Sequence, residues 1–406
     1  MKIANTHLSY CTNIHGGESW DDHFRELQTY VPLIKAEICP DQSFGLGLRL
    51  SAQASQALII PDNLAVFKSW LQENNVYIFT MNGFPYGDFH LKEVKDKVHF
   101  PDWTTGERLN YTLNLFDILA QLIPQNEEGG ISTSPLSYRF WFEEGTAAWQ
   151  DMKQAATLNI VKVAEYLYLK EHDTGRYMHL DIEPEPDGVI ENAAEFIHWY
   201  QEELLTSAQG YFKDRLGLNK EDVKVLINRY ICLCYDVCHF ALAYAEHAHV
   251  MDQLADLNIK IGKFQISSAL KVDLLEDTVD RLAKKEVLKE FDEPIYLHQV
   301  IARKNDGTLV KYRDLPQALP HIDNPQHVEW RSHFHVPIFL AKYAEVASTQ
   351  QDILEVLALH NKHSRTNHIE VETYTWGVLP KSLQASIESS ISRELQWLLD
   401  QIEVKS

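Results

Sequence analysis

Apolar residues along the chain occur in short runs, separated by longer amphipathic segments. The runs have the length of buried strands, and the segments between them repeat apolar residues at helical spacing. Eight runs predict strands, at residues 2–15, 44–51, 76–81, 130–135, 176–183, 224–235, 259–267 and 368–376. Strands that alternate with helices about eight times predict an α/β fold, a (β/α)₈ TIM barrel that forms one domain over residues 1–406.

One stretch, residues 272–345, interrupts this alternation after the seventh predicted strand. Within it, Asn305-Asp306-Gly307 lies between two strand-like runs and predicts a β-hairpin. Because segments that follow barrel strands leave from the carboxyl ends of those strands, we expect this insertion near the mouth of the barrel. A final amphipathic helix is predicted at 382–402.

The formal net charge of −21 argues against two classes of partner, although a local basic groove could still exist. Nucleic acids and anionic membrane surfaces require clustered Lys and Arg, so we expect neither as a partner. The sequence contains no apolar run long enough for a membrane span, and its start lacks the apolar region of a signal peptide. An odd number of cysteines without such a signal is typical of a reducing compartment. These features predict a cytoplasmic protein whose partner is a small-molecule metabolite.

Polar residues follow the later predicted strands, where α/β barrels carry their chemistry. Hard divalent cations prefer carboxylate oxygens, and imidazole is added for transition metals. Ligands from several strands could converge there on one Mn²⁺, Mg²⁺ or Zn²⁺ ion. The predicted metal ligands are Glu183, Asp236, Gln265 and Glu372. Taken singly, an acid could cap a helix and Gln265 could be structural, but Glu370 and Glu372 on one strand face are costly to bury without a cation or a partner.

Catalytic and substrate-binding residues are predicted at the same strand ends. Glu183 and Glu372 would flank a substrate as acid and base, with His239 as a third catalytic residue. The predicted substrate-binding residues are His15, Asn82, Glu185, His333 and His335. Asn82 begins a loop through His90 whose glycines and aromatic residues suit a sugar or a ring. The alternatives stay open: a polar turn at Asn13 and His15, a satisfied core histidine at 239, and a hairpin packed on the barrel rim for His333 and His335.

Two motifs resemble the xylose isomerase-like barrel superfamily of sugar isomerases and epimerases. They are Glu183-Pro-Glu-Pro186 and Asp236-Val-Cys-His239. The resemblance implies that Glu183 and Asp236 bind a divalent metal, with further ligands at Gln265 and Glu372. The chain departs from the pattern at Gln265, where the epimerases usually have His, and at Glu185, where the xylose isomerases have a catalytic Lys.

A second resemblance covers nearly the whole chain. It is to EboE, the metabolite traffic protein of bacterial ebo gene clusters. The motifs that carry it are His7–His15, Gly45–Ala52, Asn82–Gly87, Ile131–Pro135 and Glu370–Trp376. It implies a cytoplasmic, metal-dependent barrel protein that handles natural-product precursors, with other ebo-cluster proteins as partners.

Taken together, the sequence predicts a metal-dependent isomerase or epimerase that acts on a small polyhydroxylated or phosphorylated metabolite. The altered residues Gln265 and Glu185 favour an alternative, a metabolite-binding protein without catalysis. An endonuclease-type phosphodiesterase is a third hypothesis, which the acidic charge disfavours. Dinucleotide, ATP and serine-hydrolase motifs do not occur.

Overall fold

The computed structural model of the chain describes residues 1–87, 94–274, 278–377, 379–381 and 385–402. Strands and helices are numbered here in chain order. Eight described strands form the parallel part of the main sheet: β2 (Thr6–Tyr10), β3 (Phe44–Arg49), β4 (Val76–Asn82), β5 (Gly129–Thr133), β6 (Met178–Ile182), β7 (Ile231–Asp236), β8 (Ile261–Ile266) and β15 (His368–Val371). The other described strands are β1 (Lys2–Ile3), β9 (Ser268–Asp273), β10 (Val300–Lys304), β11 (Leu309–Tyr312), β12 (His327–Val336), β13 (Lys342–Tyr343) and β14 (Val346–Ser348).

Helices connect the parallel strands and surround them. The described helices are α1 (Trp20–Ile38), α2 (Ala52–Leu58), α3 (Pro61–Glu73), α4 (Gly106–Leu122), α5 (Ala147–Thr174), α6 (Ala193–His198), α7 (Leu205–Leu216), α8 (Lys220–Tyr230), α9 (Val237–Leu242), α10 (His247–Asp256), α11 (Thr278–Lys289), α12 (Leu315–Ala318), α13 (Gln350–Lys362) and α14 (Ile387–Gln401). Within the described ranges, no helix is both long enough and apolar enough to cross a membrane. The start of the predicted final helix, 382–384, and the end of the predicted substrate loop, 88–90, lie outside the described residues.

The main sheet closes into a barrel. Its order is β2-β15-β8-β7-β6-β5-β4-β3, with β1 added antiparallel to β2. A parallel bridge between Cys11 and Gly47 joins the two ends of this order. Eight parallel strands with intervening helices are the architecture of a (β/α)₈ barrel. The predicted fold is therefore confirmed.

One predicted strand segment is wrong. Residues 224–230 belong to helix α8, and only the later part of the predicted strand, β7, is extended. Asn219 caps the helix, because its side chain accepts from the backbone N–H groups of Glu221 and Asp222. The buried residues of α8 follow helical spacing, and they are Val223, Leu226, Ile227 and Tyr230. The consecutive apolar residues had hidden this helical period.

The barrel interior is polar at its centre. Lys263 of β8 and Glu370 of β15 are both fully buried and form an ion pair with Nζ–Oε2 at 2.6 Å. Gly47 of β3 makes room for this pair, since a Cβ atom there would collide with the Glu370 carboxylate. Asp181 of β6 lies against Gly262 in the same way. Side chains from one strand thus fill the space that glycines leave on others.

A second, antiparallel sheet follows β8 directly, in the order β11-β10-β12-β9-β14-β13. It begins with β9, a few residues earlier than the predicted insertion, and ends with β14. The predicted hairpin is present as β10 and β11, whose residues pair antiparallel from Val300 with Tyr312 to Arg303 with Leu309. The long strand β12 carries this sheet to the carboxyl ends of the barrel strands, where it brings His333 and His335.

Glu394 of α14 links the second sheet to the loop after β15 and predicts a pH-dependent stability. Its Oε1 accepts from Ile338 N at 3.1 Å and from Thr373 Oγ1 at 2.7 Å. Burial raises the pKa of this carboxyl group to about 8 from an ordinary value of 4.5. Between these values the folded protein keeps a proton that the unfolded chain has released. We therefore expect Glu394 to lower the free energy of unfolding by about 1.4 kcal/mol for each pH unit in that window as pH rises.

Urea unfolding of wild type and Glu394→Gln across this window measures the contribution, because the amide does not titrate. In Glu394→Gln, the free energy of unfolding should fall less steeply as pH rises. Glu388→Gln, which makes the same change on the same helix, should keep the wild-type pH dependence. Equal pH slopes for wild type and Glu394→Gln would contradict the prediction.

Candidate functional site

The four predicted metal ligands meet at the carboxyl ends of the barrel strands. Glu183 follows β6, Asp236 ends β7, Gln265 lies in β8, and Glu372 follows β15. The side-chain nitrogen of Gln265 donates to Glu183 Oε1 and to Asp236 Oδ2, each at 3.1 Å, and also to Glu372 Oε2. Glu183 and Glu372 belong to strands three steps apart in the sheet, and yet they contact the same amide. The structure therefore brings this set together.

Gln265 takes part as a donor. Three carboxylates surround its nitrogen, and its oxygen accepts from Cys234 Sγ at 2.8 Å. The pKa of Asp236 is lowered, so this carboxylate is ionised and only accepts, which fixes the amide end that faces it as the nitrogen. The positive edge of the amide thus lies between the acids, and its oxygen is turned away from them.

Glu372 is held by two more amides. Asn13 Nδ2 donates to its Oε1 at 2.7 Å, and Asn82 Nδ2 donates to the same oxygen at 2.8 Å. The Oδ1 atom of Asn82 in turn accepts from Phe84 N at 3.0 Å. Asn82, predicted to bind substrate, therefore also positions an acid of the site.

Three histidines lie beside these acids, and each has its Nδ1 next to a group that accepts hydrogen bonds. His239 Nδ1 is 2.8 Å from Pro184 O, and His335 Nδ1 is 2.8 Å from Glu372 O. His333 Nδ1 is 2.9 Å from the Oε1 of Gln299.

The orientation of Gln299 is itself determined, since its nitrogen lies 3.3 Å from Pro186 O and 3.3 Å from Asp187 Oδ2. All three histidines therefore carry the proton on Nδ1 and present a lone pair at Nε2.

The Nε2 lone pairs converge. The Nε2 atoms of His239 and His333 are 3.2 Å apart, and His335 Nε2 is buried without a hydrogen-bond partner among the described residues. Two acceptors at this distance repel each other unless a proton or a cation lies between them.

Acidic oxygens are close to the same nitrogens. Glu185 Oε2 lies 3.6 Å and Asp236 Oδ2 3.9 Å from His239 Nε2. The ligand atoms of Asp236, His239 and His335 all lie within 4.8 Å of one another, and so do those of Glu185, His239 and His333. Imidazole and carboxylate are the donors that transition-metal dications prefer, so these residues fit such an ion.

The four acids of the site differ in pKa. Burial raises the pKa of Glu183, Glu185 and Glu372 well above the ordinary value, and repulsion among the neighbouring carboxylates adds to the effect. Asp236 differs, because attraction to His239 and His335, together with the hydrogen bonds that its carboxylate accepts from Ser267 Oγ and His239 N, outweighs burial and lowers its pKa. The site thus combines one readily ionised acid with three that hold protons more strongly.

The histidines behave in the opposite sense. Burial lowers the pKa of His335 to about 4, and it lowers the pKa of His333 and His239 as well. These imidazoles are therefore neutral near pH 7, which is the form that binds metals.

A cavity of about 60 Å³ opens above this cluster. Predicted site residues that line it are Asn82, Glu183, Glu185, His239, His333, His335 and Glu372. Asp236 and Gln265 are fully buried at the base of the cluster. Aromatic walls come from Phe84, Tyr296 and Tyr374, and a cationic side chain from Lys95. The combination of apolar walls with a few polar groups is typical of a small-molecule site.

His15 is placed elsewhere. Its Nε2 lies 2.9 Å from the hydroxyl of Tyr10, and its ring stacks on Tyr30 with centroids 5.1 Å apart. It does not line the cavity, whereas its neighbour Asn13 does. The structure therefore brings together every predicted site residue except His15.

Sequence reasoning missed Gln299, Tyr296 and Tyr374. Tyr374 lies beyond the end of β15, at the start of a 3₁₀ helix, so the strand alternation could not have identified it. Gln299 and Tyr296 belong to the insertion, where no strand-end pattern marks them.

Several solved structures are similar to this one over nearly the whole chain. The probable 3-DHS dehydratase AsbF of Bacillus anthracis is 14% identical with a TM-score of 0.44, over 97% of this chain and 99% of that chain. The IolI protein with a bound zinc atom is 11% identical with a TM-score of 0.48, over 98% of each chain. D-psicose 3-epimerase is 11% identical with a TM-score of 0.44, over 97% of this chain and 98% of that chain. Similarities this low carry no argument about the reaction, which has to rest on the site.

No family model and no curated protein matches the sequence. The resemblance to EboE therefore stays a prediction from its motifs. The barrel, the cavity and the convergent side chains together define a candidate site for a divalent metal and a small molecule.

Proposed function

We propose that the chain is a metal-dependent isomerase or epimerase of a small polyhydroxylated metabolite. The observation that carries the proposal is the convergence of three neutral histidine nitrogens beside protonatable carboxyl groups inside one cavity. Such groups supply the two requirements of the reaction, a site for a cation and residues able to remove and return a proton.

The cation would be held by His239, His333 and His335 together with Asp236, the acid with the lowered pKa. A bound dication would polarise substrate oxygens as a Lewis acid. The set predicted from the sequence, with Glu183 and Glu372 as ligands, is a second position for the ion. Gln265 counts against that position, because its amide nitrogen already lies between those acids.

Glu183 is the residue best suited to move a proton. Its Oε1 accepts from Gln265, whereas its Oε2 has no hydrogen-bond partner among the described residues and the side chain lines the cavity. Burial raises the pKa of Glu183 well above its ordinary value, and repulsion from Asp236 and Glu185 adds to this, so the carboxyl group holds a proton that it could give to a substrate. Glu372, on the other side of the Gln265 amide, is the second acid of the pair.

The surrounding residues would bind and orient the substrate. Tyr296 and Tyr374 offer flat apolar faces for a sugar ring. Lys95 also lines the cavity, with its ammonium group paired to Asp314 Oδ2 at 2.9 Å. The motifs that resemble EboE add a natural-product precursor as the substrate class, other ebo-cluster proteins as partners and the cytoplasm as the location.

A second candidate function is metabolite binding without catalysis. The hydrogen bonds that Gln265 donates to Glu183, Asp236 and Glu372 favour it, since they occupy carboxylate oxygens that an enzyme would leave open to a metal or a substrate. An endonuclease function fits less well, because a phosphodiester backbone would have to approach these carboxylates.

Deuterium incorporation at a substrate carbon tests the proposal. Protein stripped with a chelator is reloaded with Mn²⁺, Zn²⁺ or Mg²⁺ and incubated in heavy water with sugars, sugar phosphates and polyols. We expect exchange with one of these compounds that requires the metal, is absent in stripped protein and returns on reloading. If ligands from the panel bind at the cavity but none exchanges with any metal, the binding-protein function replaces the enzyme.

A further inference from the structure

A second group of buried metal-binding side chains lies at the amino ends of the barrel strands. His179 belongs to β6, His368 begins β15, and Glu128 directly precedes β5. One ligand atom from each of the three lies within 4.8 Å of the others. We call these residues the amino-end cluster. Each histidine is four residues before the mouth glutamate that follows its strand, which at the rise of a β-strand corresponds to about 13 Å.

Hydrogen bonding leaves the ring nitrogens of this cluster available. His179 Nδ1 is 2.5 Å from Asp181 Oδ1, so this nitrogen carries the proton and Nε2 presents a lone pair. His179 Nε2 and both ring nitrogens of His368 are buried and have no hydrogen-bond partner among the described residues. Buried polar atoms normally have partners, so three such atoms at one place point to a missing ligand.

The surroundings are those of a metal site. A carboxylate that accepts from the distal nitrogen of a histidine fixes the ring and increases its strength as a ligand, and Asp181 does this for His179. Glu128 is held from both sides, since Asn367 Nδ2 donates to its Oε1 at 3.0 Å and Lys260 Nζ to its Oε2 at 2.7 Å. The Glu128 side chain is also partly exposed, so one edge of the cluster lies next to solvent.

We propose that the amino-end cluster binds a zinc ion through His179 Nε2, a ring nitrogen of His368 and a carboxylate oxygen of Glu128. Two imidazoles, one carboxylate and a water molecule form an ordinary tetrahedral zinc site. Tetrahedral ligands at zinc distances are about 3.4 Å apart, and the three ligand atoms, which lie within 4.8 Å of one another, would move together to reach that spacing. The site is independent of the one at the mouth and shares no residue with it.

Lys260 makes the proposal specific. Its ammonium group is bound to Glu128 and repels a dication nearby. Replacing it by Met removes that charge and leaves all three ligands. If the cluster has only a packing role, zinc binding by the protein should be the same in wild type and in Lys260→Met.

The test is zinc content per chain after stripping and saturation, with Co²⁺ absorption as a second signal. We expect wild type to bind one ion more than His368→Phe, whose ring can pack against Phe79 as the imidazole does. Loss of one ligand should weaken this site by at least about 100-fold. Lys260→Met should tighten it, and His249→Ala, which removes an exposed histidine, should leave it unchanged.

The two metal sites are separated by variants. His335→Ala should remove only the ion at the mouth of the barrel. Whether that ion is lost tests the proposed function, and the ion at the amino-end cluster can then be counted separately. Glu128→Gln provides a test at a partly exposed residue if His368→Phe does not fold. Equal zinc content and affinity in wild type, Glu128→Gln and Lys260→Met would overturn the amino-end site.

Discussion

Glu183→Gln is expected to lower the rate of substrate exchange by about 10²–10⁴-fold, the usual contribution of a positioned acid or base. The amide keeps the size of the side chain, and its oxygen can still accept from Gln265 at the position of Oε1. Its nitrogen then occupies the position of Oε2, which has no described partner to lose. The proton-carrying group is removed, and the structure around it is retained.

The measurement is deuterium wash-in with the substrate found in the panel, together with metal content and thermal unfolding of each variant. Glu144→Gln, in the exposed loop between β5 and α5, is the control for the same chemical change elsewhere. Exchange at the wild-type rate in Glu183→Gln would exclude this residue as the base.

Glu372→Gln is a less decisive variant, and the hydrogen bonds show why. Both oxygens of the Glu372 carboxylate accept hydrogen bonds, which come from Asn13, Asn82 and Gln265. In the Gln variant, the new NH₂ group would therefore face another N–H donor in either orientation. We expect this variant to lose stability along with activity. Glu183→Gln therefore carries the assignment of the base.

Lys263→Met is expected to lower the free energy of unfolding by about 3–5 kcal/mol. Although burial acts to lower the pKa of Lys263, the adjacent Glu370 carboxylate outweighs it and raises that pKa. Without Lys263, the carboxylate of Glu370 stays in the barrel centre beside the backbone of Gly47, and its Oε1 has no described partner even in wild type. The energy is lost because one buried charge is left uncompensated.

Urea unfolding of metal-free protein measures this loss, as a change in midpoint at constant slope. The double variant Lys263→Met with Glu370→Met removes both charges and should recover most of the stability, since apolar residues often replace a buried pair without cost. A double variant as unstable as the single one would show that packing, rather than charge, causes the effect.

The barrel was predictable because its strands are buried on both faces and stop at recognisable polar residues. Continuous apolar runs followed by Asn82, Glu183 or Asp236 located three strand ends without further information. The strand predicted at 224–230 failed because Val225, Leu226 and Ile227 are consecutive, although Val225 is exposed on α8. The helical cap at Asn219 was the signal that outweighed them.

The acids of the site were predictable for the same reason, whereas their partners were not. Strand position and parity identified Glu183, Glu372 and Gln265. The role of Gln265 as a donor depends on three acids approaching from different strands, which local sequence does not encode. The same holds for His333 and His335, whose ring nitrogens are oriented by Gln299 and by the backbone of Glu372.

Strand β12 has a consequence for how the cavity opens. It places His333 and His335 against His239 and Asp236, so under the proposed ligation half of the protein ligands belong to the barrel and half to the second sheet. The ion would then cross-link the barrel and the second sheet. Binding of the ion and contact between the two sheets would then be linked. If contact between the sheets increases the affinity for the ion, the bound ion stabilises that contact by the same free energy. Removal of the ion by a chelator would weaken the contact between the sheets, and a partner that separates the second sheet from the barrel would lower the affinity for the metal.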